Sequence, residues 1–111
     1  MKRKARLKWG QMNAADEMVE VHAIVSGLVQ GVGFRATACS IAQRMGLKGM
    51  ARNLSDGNVE IIVQGQKTQL DLFFEKLQAE THGRVDSIDK TMSSLFNKFD
   101  SFSITNTISK K

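Results

Sequence analysis

The sequence has one cysteine, two histidines and no apolar run approaching the roughly twenty residues that a membrane-spanning helix needs. A lone Cys39 cannot close an internal disulfide, which suits a reducing compartment. With no other Cys or His near it in sequence, it reads as a packing or surface residue. The stretch after Met1 lacks the apolar core of a signal peptide, so a cytoplasmic protein with no membrane partner is expected. His22 falls in a strand pattern and His82 in a loop. Neither has metal-ligand spacing to a partner, so no metal and no cofactor are expected, and no Ser-His-Asp set can be assembled.

What is present describes one compact domain. A chain of 111 residues with 41% hydrophobic and 24% charged side chains is ordinary for a soluble globule. The net charge of +5 sits at the ends: Lys2, Arg3, Lys4, Arg6 and Lys8 precede Asp16 and Glu17, and Lys110 and Lys111 close the chain. The interior is therefore near neutral. The expected division is a basic, disordered tail over residues 1–18, a domain over 19–107 and a short basic tail over 108–111. The first tail can attract anionic polymers without specificity, but no nucleic-acid partner is expected of the domain. Trp9, alone in that tail, decides nothing.

Gly27 to Arg35 reads GLVQGVGFR and carries the strongest local signal. Before it, VEVHAIV over Val19–Val25 alternates as a strand. After it, Phe34, Ala38, Ile41, Ala42 and Met45 recur at helical spacing. The glycines let backbone N–H groups of Gln30, Gly31, Val32, Gly33 and Phe34 turn inward, and the loop opens a helix whose N-terminus favours an anion. Arg35, in the first turn, can fork onto two oxygens of a phosphate. A Gly-rich strand-to-helix turn with a solvated arginine fits the same residues, and the loop alone leaves both readings open.

Two rival motifs fail. The loop lacks the lysine and hydroxyl of G-x-x-x-x-G-K-[ST]. Gly31, Gly33 and Ala36 satisfy G-x-G-x-x-G/A, with Asp56 at the offset of an acidic ribose ligand. In that fold, however, a parallel strand and another crossover helix should follow. Here Leu54-Ser55-Asp56-Gly57 is turn chemistry, and another strand, Asn58 to Val63, begins at once.

The remaining chain reads as scaffold. Gly46-Leu47 ends the first helix as a glycine C-cap with its apolar follower. Thr68 and Asp71 have the spacing of a capping box, and Leu70, Phe73, Phe74 and Leu77 form one stripe, which predicts a helix over Thr68–Glu80. Val59-Ile61-Val63 and Phe102-Ile104 alternate as strands, while Arg84 to Met92 is a weaker strand. The order β-α-β-β-α-β predicts an α+β sandwich, two helices on one face of an antiparallel four-stranded sheet.

GLVQGVGFR, then GLKGMARN over Gly46–Asn53 and DGNVE over Asp56–Glu60, resembles the acylphosphatases, small enzymes that hydrolyse carboxyl-phosphate anhydrides. The similarity runs from about Val19 through the Phe99, Phe102 and Ile104 pattern. It implies a ferredoxin-like fold, a phosphate held by Arg35 and the Gln30–Phe34 backbone, and an attacking water positioned by Asn53. It also implies a small acyl phosphate as substrate and inorganic phosphate as product; a monomer is expected. Ala36, Thr37, Ala38 and Met50 depart from the family pattern, which bears on rate and substrate preference. Without the resemblance, Asn53 also reads as a side chain capping the Ser55-Asp56-Gly57 turn. The chemistry needs no metal, because the leaving carboxylate is a weak base and what remains is positioning and charge. The same fold and loop also occur as a module of larger maturation factors, so a domain that only binds an anionic ligand stays open.

Overall fold

A computed structural model describes residues 17–106 of the protein. The two expected tails fall almost wholly outside them. The elements are β1 (Met18–Leu28), α1 (Phe34–Met45), β2 (Lys48–Asn53), β3 (Val59–Gln66), α2 (Lys67–Glu80), β4 (Arg84–Ser93) and β5 (Phe102–Ile104). No helix among the described residues is long and apolar enough to cross a membrane.

The sheet has five strands rather than the expected four, in the order β4-β1-β3-β2-β5. The other three pairs are antiparallel, but β5 lies parallel to β2, with Gly49 opposite Phe102 and Ala51 opposite Ile104. Three alternating residues carry no information on which edge they join or in which direction. That choice follows from the segment between β4 and β5, which must pass from one edge of the sheet to the other.

Alternation sorts the strands into two faces. Val21, Ala23 and Val25 of β1, Ala51 of β2 and Val59, Ile61 and Val63 of β3 point to the helices and are buried. They meet Phe34, Ala38, Ile41 and Ala42 of α1 and Leu70, Phe73, Phe74 and Leu77 of α2. Phe73 packs edge-on to Phe74 at 5.0 Å between centroids and meets Phe102 of β5 at 6.1 Å. Each such ring contributes about 2–3 kcal/mol through burial, so the short β5 is held by its one buried aromatic as much as by its ladder. Cys39 is half-buried against this core, its thiol 3.6 Å from the Phe102 carbonyl, a packing residue as expected.

The opposite face is polar. Glu60 takes His22 Nε2 on one carboxylate oxygen and Arg52 Nε on the other, which accounts for His22 without catalysis. Farther along, Glu20 and Gln64 are buried beneath the crossing segment. Gln64 donates to Glu20 and to the Asn97 carbonyl, and Glu20 accepts from Phe96 and Asn97.

Helix ends match the sequence reading at one helix and differ at the other. Gly46, in the left-handed region, ends α1, and the Leu47 N–H reaches the Ala42 carbonyl at 2.9 Å, a Schellman arrangement. The Thr68–Asp71 capping box does not form. The chain passes from β3 into α2 without a linker, so Gln66 is the cap and Thr68 already lies inside the helix. Asp71 pairs instead with Lys67 one turn earlier.

Candidate active site

β1 runs past the expected Val25 to Leu28, with a register shift between Ser26 and Gly27 where it pairs with β4. Val29 is then buried, which plants the start of the loop in the core. Gly31 and Gly33 have φ of +76° and +77°, a backbone region that side-chain-bearing residues rarely occupy. Gly33 is also the N-cap of α1. It offers no side chain to the first helical amides, and the first turn contains no acidic residue, so the positive end of the helix is left uncompensated. The Gly33 carbonyl meanwhile accepts the first helical bond, from Thr37 N at 2.9 Å.

Arg35 is the second residue of α1, half-buried and in no ion pair among the described residues. Asn53 is the last residue of β2, opposite Val59 and on the helix-bearing face with Ala51. Both line one recess of about 160 Å³, together with Val29, Gly31, Gly33, Phe34, Ala36 and Ile104. Asn53 Oδ1 is itself buried and has no hydrogen-bond partner among the described residues. Such an acceptor costs about 1–3 kcal/mol unless something donates to it, and costs of that kind concentrate at functional sites. A larger, shallower depression of about 470 Å³ between α2 and β4 contains none of the loop residues. The smaller recess is the candidate site because loop glycines at a helix N-terminus, an arginine and an asparagine with an unpartnered amide oxygen all line it.

Of the expected loop, Gly31, Gly33, Phe34 and Arg35 line the recess, and Gln30 and Val32 do not. The Gln30 side chain is turned away to the β2–β3 turn, and that of Val32 lies near Gly83. Asp56 is a turn residue as expected: its carboxylate accepts from Asn58 N at 3.0 Å. Met50 lies on the opposite face from Asn53, where its sulfur accepts from the Thr105 hydroxyl, so that departure from the family pattern does not touch the recess. Ala36 does line it, and its small side chain leaves that wall open. Val29 and Ile104 are lining residues outside the expected site set, and Ile104 is the one no local signal could have found. It arrives only because β5 pairs with β2, and no local signal carries that pairing.

The acylphosphatase family model matches residues 21–104, which contain both helices and all of the sheet except the first three residues of β1. An acylphosphatase of Lactobacillus gasseri is 44% identical over 82 residues, covering 72% of this chain and 90% of its own length. The crystal structure of the acylphosphatase from Bacillus subtilis superposes with a TM-score of 0.74 at 34% identity, over 78% of this chain and 98% of that one. A full-length HypF structure, in a phosphate- and nucleotide-bound form, matches with a TM-score of 0.75 at 25% identity, over 83% of this chain but 12% of the larger protein. With the family model spanning most of the chain and the fold shared with these relatives, the chain belongs to the acylphosphatase family, hydrolases of the carboxyl-phosphate bond.

Proposed function

We propose that the recess binds the phosphoryl group of a small acyl phosphate through Arg35 and the backbone amides of Gln30–Phe34, and that Asn53 orients the attacking water. The observation that carries this reading is that Asn53, whose buried Oδ1 has no hydrogen-bond partner among the described residues, lines the same recess as Arg35. An amide oxygen accepts a hydrogen bond from water and leaves the water's lone pair free to attack phosphorus, and the proton the water sheds passes to a phosphoryl oxygen of the departing inorganic phosphate. The guanidinium forks onto two phosphoryl oxygens, and amides at the positive end of α1 hold the third. Attack in line with the departing carboxylate then requires no covalent intermediate. The carboxylate leaves as a weak base, so no general acid is required either. The enzyme acts in the cytoplasm as a monomer.

The experiment is release of inorganic phosphate from acetyl or benzoyl phosphate, run beside a phosphomonoester. Turnover of the acyl phosphates and none of the ester is expected, because an alkoxide leaves without help far less readily than a carboxylate. Phosphate binding with no turnover of any acyl phosphate would instead favour an anion-binding module, as the match to one part of the larger HypF allows.

A further inference from the structure

The phosphate loop and the turn that carries Asn53 are joined by one side chain. Gln30 Nε2 donates to the Leu54 carbonyl at 2.8 Å and to the Asn58 carbonyl at 2.8 Å. A primary amide nitrogen has two N–H donors, so both are committed across this gap. Leu54 directly follows Asn53, and Asn58 closes the same turn by accepting from Leu54 N at 2.8 Å. The clamp therefore sits at the mouth of the turn, one residue from the proposed water-orienting amide. Among Gln30–Phe34 only Gln30 has a side chain able to donate: the others are glycine, valine and phenylalanine. The strand ladder fixes Asn53 against Val59 but does not reach the loop. The side chain of Gln30 ties the loop whose amides are proposed to hold the phosphoryl oxygens to the turn that follows the proposed water-orienting residue.

From this geometry we infer that Gln30 is a positioning residue for hydrolysis, acting through its side chain on Asn53 in addition to any part its backbone has in binding phosphate. The inference rests on the proposed role of Asn53. In-line attack depends on the separation of water and phosphorus, and a displacement of about an ångström can cost on the order of a hundredfold in rate. Removing the clamp should then lower kcat while leaving the phosphate cradle intact.

The test measures kcat and competitive inhibition by inorganic phosphate in Gln30→Ala, Gln30→Glu, Asn53→Ala and the Gln30→Ala/Asn53→Ala double variant. Far-UV circular dichroism and thermal melting monitor folding. Gln30→Glu keeps the shape of the side chain and exchanges both donors for acceptors facing two carbonyls. Either Gln30 variant should lose kcat roughly ten- to hundredfold. Their inhibition constants for phosphate should stay within about twofold of the wild type, and Gln30→Ala should cost no more than about twofold in the Asn53→Ala background. Fully additive losses would overturn the inference and leave the role of Asn53 standing. Loss of phosphate affinity in step with kcat would also overturn it, showing that the side chain only shapes the loop. Wild-type turnover by Asn53→Ala would overturn the water-orienting role itself, and this inference with it.

Discussion

Glu20, near the start of β1, accepts from both the backbone N–H of Asn97 at 3.0 Å and its side-chain amide at 2.6 Å. Phe96 N and Gln64 Nε2 complete its coordination. The segment linking β4 to β5 is thereby pinned across the polar face of the sheet. β5 depends on that crossing to reach the far edge, where it places Ile104 in the recess.

Burial opposes the charge on Glu20, but hydrogen bonds from Asn97, Gln64 and Phe96 outweigh it and hold its carboxyl below the usual carboxylate range. A depressed folded-state value means the contribution to stability is present at neutral pH and is lost as the pH falls through that value. Glu20→Ala should destabilise the fold by about 2–3 kcal/mol at pH 7, since it strands buried donors. The difference between variant and wild type should shrink in acid. Urea unfolding at pH 7 and pH 3 checks both the size and the sign.

Arg35→Ala and Asn53→Ala should fail in different ways. Removing Arg35 deletes a charge-assisted fork from ground and transition states alike, so phosphate inhibition weakens and kcat falls. Removing Asn53 should spare phosphate binding and cost about 3 kcal/mol in the barrier, on the order of a hundredfold in kcat. Steady-state kinetics with phosphate as competitive inhibitor separates the two. Equal loss of phosphate affinity in both variants would show that the division of labour is wrong.

Gly83, just before β4, backs the loop from outside the recess. A Cβ there would lie 1.9 Å from the Leu28 carbonyl oxygen and 2.9 Å from Val32 Cγ2, so the backbone must shift. Gly83→Ala should therefore destabilise the protein by about 1–3 kcal/mol and weaken phosphate binding together with kcat, because the displaced segment leads into the cradle. Melting temperature and phosphate inhibition, measured on the same preparation, check this. An unchanged inhibition constant would separate Gly83 from the site.

Turnover should persist after exhaustive treatment with EDTA. The proposed chemistry places charge stabilisation in a guanidinium and amides, and no group of His, Cys, Asp and Glu suited to hold a metal ion occurs among the described residues. Loss of activity on chelation, with recovery on adding one divalent ion, would contradict the mechanism.

The sequence by itself determined most of the features set by near neighbours. Alternation from Val19 gave β1, helical spacing from Phe34 gave α1, and Gly46-Leu47 marked where α1 stops. Leu54–Gly57 marked a turn because short-range backbone chemistry suffices to make one. The loop, with Arg35 at its end, was legible for the same reason: glycine torsions and a helix N-terminus are properties of a few consecutive residues. Asn53 was legible through family resemblance rather than residue chemistry, since a turn cap explained it equally well.

Tertiary structure alone decided what depends on residues far apart in the chain. The parallel pairing of β5 with β2 placed Ile104 in the recess, and the Glu20–Asn97 anchor held the crossing that makes this pairing possible. The Gln30 clamp joined loop and turn through carbonyls at Leu54 and Asn58 that carry no side-chain signature. The failed Thr68–Asp71 box belongs here too: where β3 hands over to α2 was set by the ladder with β1, which extends to Gln66 and leaves Thr68 no room to be a cap. Backbone hydrogen bonds between distant segments depend on register and closure rather than on residue type, so composition and periodicity do not encode them locally.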